Sequence, residues 1–292
     1  MINNPIFSLF CELELCGKGQ IEKVHDRTRD NESISVYRCS KTGAIFLSDT
    51  NHVDISHYDE KAPTHSYGVE KRAIVNTNDD SMRRRERFAN LIRGKSWLDI
   101  GAGSGAVLDQ LAPIAKDVAA VEPQAEASNT LNELGYKTFR RLEDVDLQSV
   151  DVISLFHVLE HIEYPLALLQ KSFELLSPGG RLIIEVPHAS DLLIKQFDLQ
   201  AFKDFTFWSE HLVLHTRQTL NALVSEVGFS SIVIEGVQRY PVANHLHWLA
   251  SGMPGGHVSL DFMRDDALDQ AYEAMLQKLD MTDTLVLSAV KR

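Results

Sequence analysis

Trp97-Leu98-Asp99-Ile100-Gly101-Ala102-Gly103-Ser104-Gly105-Ala106-Val107-Leu108 reads as a short apolar strand running into a glycine-rich turn and out into a helix. Glycines at alternate positions supply backbone that tolerates left-handed conformations and lets a ligand approach the main chain. Working outward, the same alternation recurs. Strand-like runs stand at Ser96–Ile100, Asp117–Val121, Tyr136–Phe139, Asp151–Leu155 and Arg181–Val186, with helix-length segments at 104–112, 124–134 and 165–176. Pro165 opens the last of these helices and Ser177-Pro178-Gly179-Gly180 closes it. A helix at 216–227 stops at Gly228, a strand follows at Ser231–Glu235, and the final strand is Thr284–Val290. Strands joined by crossover helices predict an α/β domain with a mostly parallel sheet over residues 81–292. Residues 238–282 precede the last strand as an insertion, placed either to lid a site or simply to pack. Residues 1–80 are polar, with short strand-like runs at Ile34–Arg38 and Ala44–Leu47, and read as a small irregular N-terminal unit.

The 292 residues carry 29 Lys+Arg against 41 Asp+Glu, a formal net charge of −12. Such a field repels a phosphate backbone, so nucleic acid is not an expected partner. The one basic run, Met82-Arg83-Arg84-Arg85-Glu86-Arg87, continues into Phe88–Ile92 and reads as the solvated first turns of an amphipathic helix. No apolar stretch approaches the ~20 residues that span a bilayer, and no signal-peptide pattern opens the chain. A cytoplasmic location without a transmembrane segment is expected. Cys11, Cys16 and Cys39 are an odd number in a large chain, which argues against a disulfide framework.

Gly101, Gly103 and Ala106 satisfy the loose dinucleotide-binding pattern, so the glycines alone do not choose between a nicotinamide cofactor and another nucleoside. Asp99 decides between them. A pyrophosphate at this helix N-terminus would meet its carboxylate unfavourably, whereas S-adenosylmethionine has no phosphate and brings an ammonium and a sulfonium. Glu122, at the end of the second strand, is placed to accept from both ribose hydroxyls.

With these residues the chain resembles the class I S-adenosylmethionine-dependent methyltransferases over about residues 82–292. Asp99-Ile-Gly-Ala-Gly-Ser-Gly105 resembles their first motif and Val121-Glu-Pro123 their ribose-binding strand end. Leu142-Glu-Asp144 falls where their adenine-contacting turn lies. Leu155-Phe-His-Val-Leu-Glu-His-Ile162 resembles the segment after the fourth strand, and Leu176–Ile184 the entry to the fifth. The resemblance implies a Rossmann-like seven-stranded sheet ordered 3-2-1-4-5-7-6 with the seventh strand antiparallel. It also implies cofactor contacts from Asp99, Gly101, Ala102 and Gly103 at the methionine end, Glu122 and Pro123 at the ribose, Leu142 and Glu143 at the adenine, and Phe156 and His157 as a wall.

Methyl transfer from a sulfonium needs alignment and, for many acceptors, a base. His161 follows the fourth strand, poised between cofactor and acceptor, and His188 is a further loop-borne imidazole. Glu210-His211-Leu212 resembles the Glu-His-Leu signature of sugar C-methyltransferases; a carboxylate beside an imidazole suits it to proton removal. Here Val213-Leu214-His215-Thr216 follows where those relatives carry an aromatic. That group often begins with a zinc ribbon of two Cys-x-x-Cys pairs, and Cys39-Ser-Lys-Thr42 resembles the second pair with Thr42 replacing a cysteine. Tetrahedral zinc needs four ligands, so the resemblance implies a degenerate ribbon without metal.

The expected activity is methyl transfer from S-adenosylmethionine, leaving S-adenosylhomocysteine, to a small or carrier-linked acceptor such as a sugar or polysaccharide precursor. O-methylation is favoured over C-methylation, with His161 or His211 as base and Glu210 assisting. A non-catalytic cofactor-binding module serving a partner enzyme and a nicotinamide-dependent oxidoreductase are the alternatives. The sequence leaves the oligomeric state open.

Overall fold

The structure, a computed structural model, describes residues 2–53 and 79–292, so residues 54–78 of the expected N-terminal unit lie outside the described residues. Helix α1 (Pro5–Glu12) is capped by Asn4, whose side-chain oxygen accepts from the Ile6 and Phe7 N–H groups. Three antiparallel strands follow, β1 (Ile21–His25), β2 (Val36–Cys39) and β3 (Ile45–Leu47). After α2 (Asp79–Ile92) the main domain runs β4 (Ser96–Ile100), α3 (Ala106–Leu111), β5 (Asp117–Val121), α4 (Ala125–Glu133), β6 (Lys137–Phe139), β7 (Val150–Phe156), α5 (Pro165–Leu175) and β8 (Leu176–Pro187). Then come α6 (Leu192–Lys195), α7 (Gln200–Thr206), β9 (Val213–Leu214), α8 (Arg217–Val227) and β10 (Ser230–Val237). Helices α9 (Val242–Ser251), α10 (Gly256–Ser259) and α11 (Asp266–Leu279) fill the late insertion before β11 (Thr284–Val290).

Seven strands form the central sheet in the order β10-β11-β8-β7-β4-β5-β6. Counted along the domain this is the expected 3-2-1-4-5-7-6, with β11 antiparallel to both neighbours and the central strands parallel. The central strands are apolar on both sides because both faces are covered. Leu98, Ile100, Ile153, Leu155, Leu182 and Ile184 pack with α5, α8 and the N-terminal strands. Trp97, Val152 and Ile183 pack beneath Phe88 and Ile92 of α2 and Leu108 and Leu111 of α3.

The N-terminal strands are stitched to this domain. β9 pairs with β3, Asn4 donates to the carbonyls of Leu47 and Leu212, and Phe7 and Phe10 meet Phe46 edge to face. The three thiols are free. Cys39 hydrogen-bonds Cys16 and Thr42, and burial pushes the Cys16 thiol up to about 12.

One local expectation is revised. Ser177–Gly180 belongs to the irregular start of β8 instead of a helix-ending turn, because the chain beyond β11 draws it into the sheet: Gly179 N donates to Lys291 O at 2.7 Å and Lys291 N to Gly180 O at 2.9 Å. No described helix is long and apolar enough to cross a membrane.

The glycine turn locks against the loop after β7. Gly101 has φ +75°, and a Cβ there would lie 2.3 Å from Val158 Cγ2. Gly101→Ala therefore combines left-handed strain with overpacking and is expected to destabilise the fold by about 2–4 kcal/mol, measured by urea unfolding. A change below about 0.5 kcal/mol would show that this contact is soft.

Candidate functional site

The C-terminal ends of β4, β5, β7 and β8 open at one edge of the sheet, where ligands of such folds bind. At β4, Gly101, Gly103 and Gly105 all have positive φ, and Gly101 N and Ala102 N donate to Val121 O at the end of β5. Glu122 turns back onto this loop: Oε2 accepts from Gly103 N at 2.7 Å and Oε1 from Gln124 N at 2.9 Å. Burial raises its carboxyl above the usual range, and the two N–H groups only partly offset this. Leu142, buried, and Glu143 form a single turn after β6, and the Pro123 carbonyl accepts from Arg140 Nε at 2.7 Å. Phe156 ends β7 with its ring against Phe88 and the Arg84 guanidinium 4.9 Å above it.

Asp99 is placed differently from the sequence reading. It is buried, and it accepts at 2.6 Å from Ser154 Oγ, which itself accepts from Trp97 Nε1 at 2.7 Å. Its carboxyl thus meets the neighbouring strand, behind the turn, instead of facing the open edge. Burial pushes it up to about 7, so the charge on which the sequence argument turned is only partly developed near neutrality. A carboxyl protonated in the fold but ionised in the unfolded chain contributes stability that is complete below about pH 4 and is lost as pH rises through about 7. Asp99→Asn keeps an acceptor for Ser154 and deletes the titration. Relative to wild type it is expected to gain on the order of a few kcal/mol between about pH 5 and about pH 8, read from urea unfolding. A difference independent of pH would refute the assignment.

The segment after β7 carries the imidazoles. His157 Nδ1 lies 3.0 Å from Glu160 Oε1, and its Nε2 lies 3.1 Å from Arg239 Nη1 and 3.5 Å from Glu185 Oε1; the two carboxylates outweigh burial and the Arg239 charge and raise the imidazole above its ordinary value. His161 and His211 lie with ring centroids 5.0 Å apart, and Trp208 packs edge-on to both. The loop bearing His211 is pinned by Leu212 N donating to Glu160 O at 2.9 Å. Glu160, fully buried, is the carboxylate set among these rings. Burial alone would raise it, but the hydrogen bond from His157 and the adjacent imidazoles His161 and His211 outweigh that and hold it at about 2. Burial and the proximity of His161 push His211 down to about 3, leaving it neutral. Among the described residues Glu160 Oε2, His161 Nδ1 and His211 Nδ1 have no hydrogen-bond partner, and these three residues bring ligand-capable atoms within 4.8 Å of one another, close enough to hold a divalent cation between them. His188 is placed elsewhere: it is buried beside Thr282, burial pushes it to about 4, and its strand neighbour is His215.

One buried charge cluster beside the imidazoles was not legible in the sequence. Arg83 and Arg84, read as a solvated helix face, grip the buried Glu185. Arg83 does so through its two terminal nitrogens, Nη2 at 2.8 Å and Nη1 at 3.0 Å, and Arg84 through Nη2 at 2.6 Å. A carboxylate inside β8 needs charge compensation, and the first turns of α2 bring the two guanidiniums within reach of it. Burial would raise Glu185, but Arg84, His157 and Arg83 hold it well below the usual range. Arg239, from the insertion, adds contacts to Asp80 and Asp283 at 3.5 Å. Only the clustering of arginines in 83–87 signalled this.

The cradle at β5 matches a nucleoside better than a phosphate. Gln124 Oε1 is a buried acceptor with no partner among the described residues, and the Glu122 oxygens keep lone pairs after taking one N–H each. A vicinal diol brings two donors to these acceptors; a phosphate brings none.

A family model described as a methyltransferase domain matches residues 75–233. Ubiquinone biosynthesis O-methyltransferase of Psychrobacter cryohalolentis is 29% identical over 154 residues, 48% of this chain and 55% of that protein. The mitochondrial enzyme of the same name from Schizosaccharomyces pombe is 30% identical over 146 residues, 45% of this chain and 53% of its own. The chain thus spans about half the length of these curated relatives. A SAM-dependent methyltransferase from Archaeoglobus fulgidus superposes with a TM-score of 0.52 at 18% identity, covering 75% of this chain and 94% of that one, a likeness of fold.

Proposed function

Because the chain belongs to the methyltransferase-domain family, matched over residues 75–233, we propose that it transfers the methyl group of S-adenosylmethionine to a hydroxyl of a small or carrier-linked acceptor. The observation that carries this reading is the convergence of Glu160, His161 and His211 next to the Gly101 turn, which touches Val158 of the same loop. Glu122 and Gln124 would take the ribose hydroxyls, Leu142 and Glu143 the adenine, and Gly101, Ala102 and Gly103 would present backbone to the methionine end. Asp99 would act from behind, through Ser154. The cofactor, when bound, supplies an activated methyl carbon.

The protein's own work is alignment and proton removal. His161 Nδ1, which has no hydrogen-bond partner among the described residues, would take the acceptor hydroxyl's proton while the methyl carbon exchanges its bond to sulfur for one to that oxygen. Glu160, ionised throughout, offsets the imidazolium charge, with its Oε1 3.9 Å from His161 Nε2. His211, held neutral, orients the acceptor; a group near 3 is too weak a base to lead. Glu210, next to His211 in sequence, is assigned an assisting role on that adjacency alone.

Trp208 packs edge-on to His161 and His211 with the Arg29 guanidinium 4.6 Å over one ring face, so an acceptor ring would stack on the opposite face. A sugar or polysaccharide precursor suits that face and the Glu210-His211-Leu212 segment. The names of the curated relatives favour a second reading, an acceptor of ubiquinone biosynthesis. Methyl transfer measured with free and nucleotide-linked sugars against catechol-type phenols separates the two. Turnover with neither, alongside tight S-adenosylhomocysteine binding, would instead support a non-catalytic cofactor-binding module. Thermal stabilisation by NAD(H) and none by S-adenosylhomocysteine would sink the methyltransferase reading. The N-terminal unit is read as a zinc-ribbon relic, with Thr42 at Cys39 where a fourth thiolate would stand; metal analysis of the purified protein is expected to find no stoichiometric zinc.

A further inference from the structure

A cavity of about 390 Å³ opens where the N-terminal strands meet α8, on the α5/α8 side of the sheet. The glycine turn leads instead into α3 on the other side. Arg38 and Thr42 line the cavity from the N-terminal unit, Ser190 and Lys195 from the segment after β8, and Arg217 and Asp280 from the start of α8 and the end of α11. The approach is close: a Cβ at Gly43 would lie 3.6 Å from Thr216 Cγ2. In a chain with a net charge of −12, three cations face one carboxylate here.

That carboxylate is already engaged. Arg217 Nε donates to Asp280 Oδ1 at 2.6 Å, and Arg217 Nη1 to the Ile234 carbonyl. The side chains of Arg38 and Lys195 make no hydrogen bond or ion pair among the described residues. Arg38 is half-buried, and burial disfavours its charge while Glu22 and Asp198 act only from a distance. A desolvated guanidinium without a bonded acceptor is costly unless something occupies its donors. Thr216 caps α8 and accepts from Thr219 N, so the helix's first N–H groups, of Arg217 and Gln218, lack intrahelical acceptors and face the same space. Behind Asp280 stands His188, 1% exposed, whose Nε2 has no hydrogen-bond partner among the described residues and lies 3.9 Å from Asp280 Oδ2.

We infer that this cavity is an anion site for a phosphoryl group, free or as a small phosphate ester, separate from the methyl-transfer cleft. The donors come from three directions, a guanidinium fork, an ammonium and a helix N-terminus, which a tetrahedral dianion satisfies more fully than a planar carboxylate does. Binding there would bridge β2 to α6 and α8 and so tie the N-terminal unit to the main domain.

The test uses the full chain in calorimetry and thermal unfolding, with inorganic phosphate and glycerol phosphate against chloride at equal ionic strength. Phosphate is expected to stabilise where chloride does not. Arg38→Gln combined with Lys195→Gln is expected to weaken phosphate binding at least about tenfold, leaving S-adenosylhomocysteine affinity unchanged. Tighter binding of glycerol phosphate than of phosphate identifies an ester; equal binding identifies free phosphate. Absence of phosphate-specific stabilisation in the wild-type protein overturns the inference. So does a double variant, folded by its cofactor-product binding, that holds phosphate as wild type does. Lys195→Gln alone, on an exposed side chain, repeats the comparison if the double variant fails to fold.

Discussion

His161→Asn is expected to lower kcat by about 10²–10⁴-fold while S-adenosylhomocysteine affinity changes less than about threefold. The imidazole is the partnerless group nearest an ionised, fully buried carboxylate, so it can take a proton and keep the resulting charge compensated. His211→Asn should cost less, because a ring held at about 3 contributes position more than basicity. The two losses should not add, since both rings act on one acceptor. The same experiment tests the shared ligand geometry of Glu160, His161 and His211. Under proton transfer the wild-type rate is indifferent to a chelator. A rate abolished by chelation and restored by a divalent cation would reassign all three to metal ligation, and a His161→Asn enzyme with wild-type kcat would remove His161 from the chemistry.

The second large effect is expected at β5. Glu122→Ala should weaken S-adenosylhomocysteine binding by about 100-fold or more in titration calorimetry. The substitution removes the acceptor for the ribose hydroxyls and also strands Gly103 N and Gln124 N, whose bonds to the carboxylate shape the turn. Glu122→Gln, which retains one acceptor oxygen, should fall between, at about tenfold. Unchanged binding in the alanine variant would mean that the cofactor does not lie along β4 and β5.

Both predictions draw on residues that the sequence singled out, yet their partners were not visible there. Glu122 could be placed because a carboxylate at the end of a strand next to a glycine turn is a local pattern. Asp99 was recognised by the same pattern and given the wrong surroundings, since nothing near it in sequence announces Ser154, 55 positions away, as its hydrogen-bond donor. Glu160 was passed over in favour of Glu210. Adjacency to His211 made Glu210 conspicuous, while the fold returns the 208–212 loop to residue 160 through the bond from Leu212 N to Glu160 O. The arginines of α2 were assigned to solvent because helical periodicity distinguishes faces without saying what each face meets.

The sequence by itself determined the strands of the main domain and the glycine turn, because hydrophobic runs and turn residues are short-range signals. The order of the sheet and the reversal of its last strand came from the resemblance to the class I methyltransferases, and the structure has both. Only the tertiary structure decided which charges are buried together. Glu185 inside β8 forces Arg83 and Arg84 inward, three histidines and Glu160 share one pocket, and Arg38 and Lys195 meet α8 across a cavity. Those arrangements depend on desolvation and on contacts between distant segments, and a protonation state such as that of Asp99 exists only once the chain around it has closed.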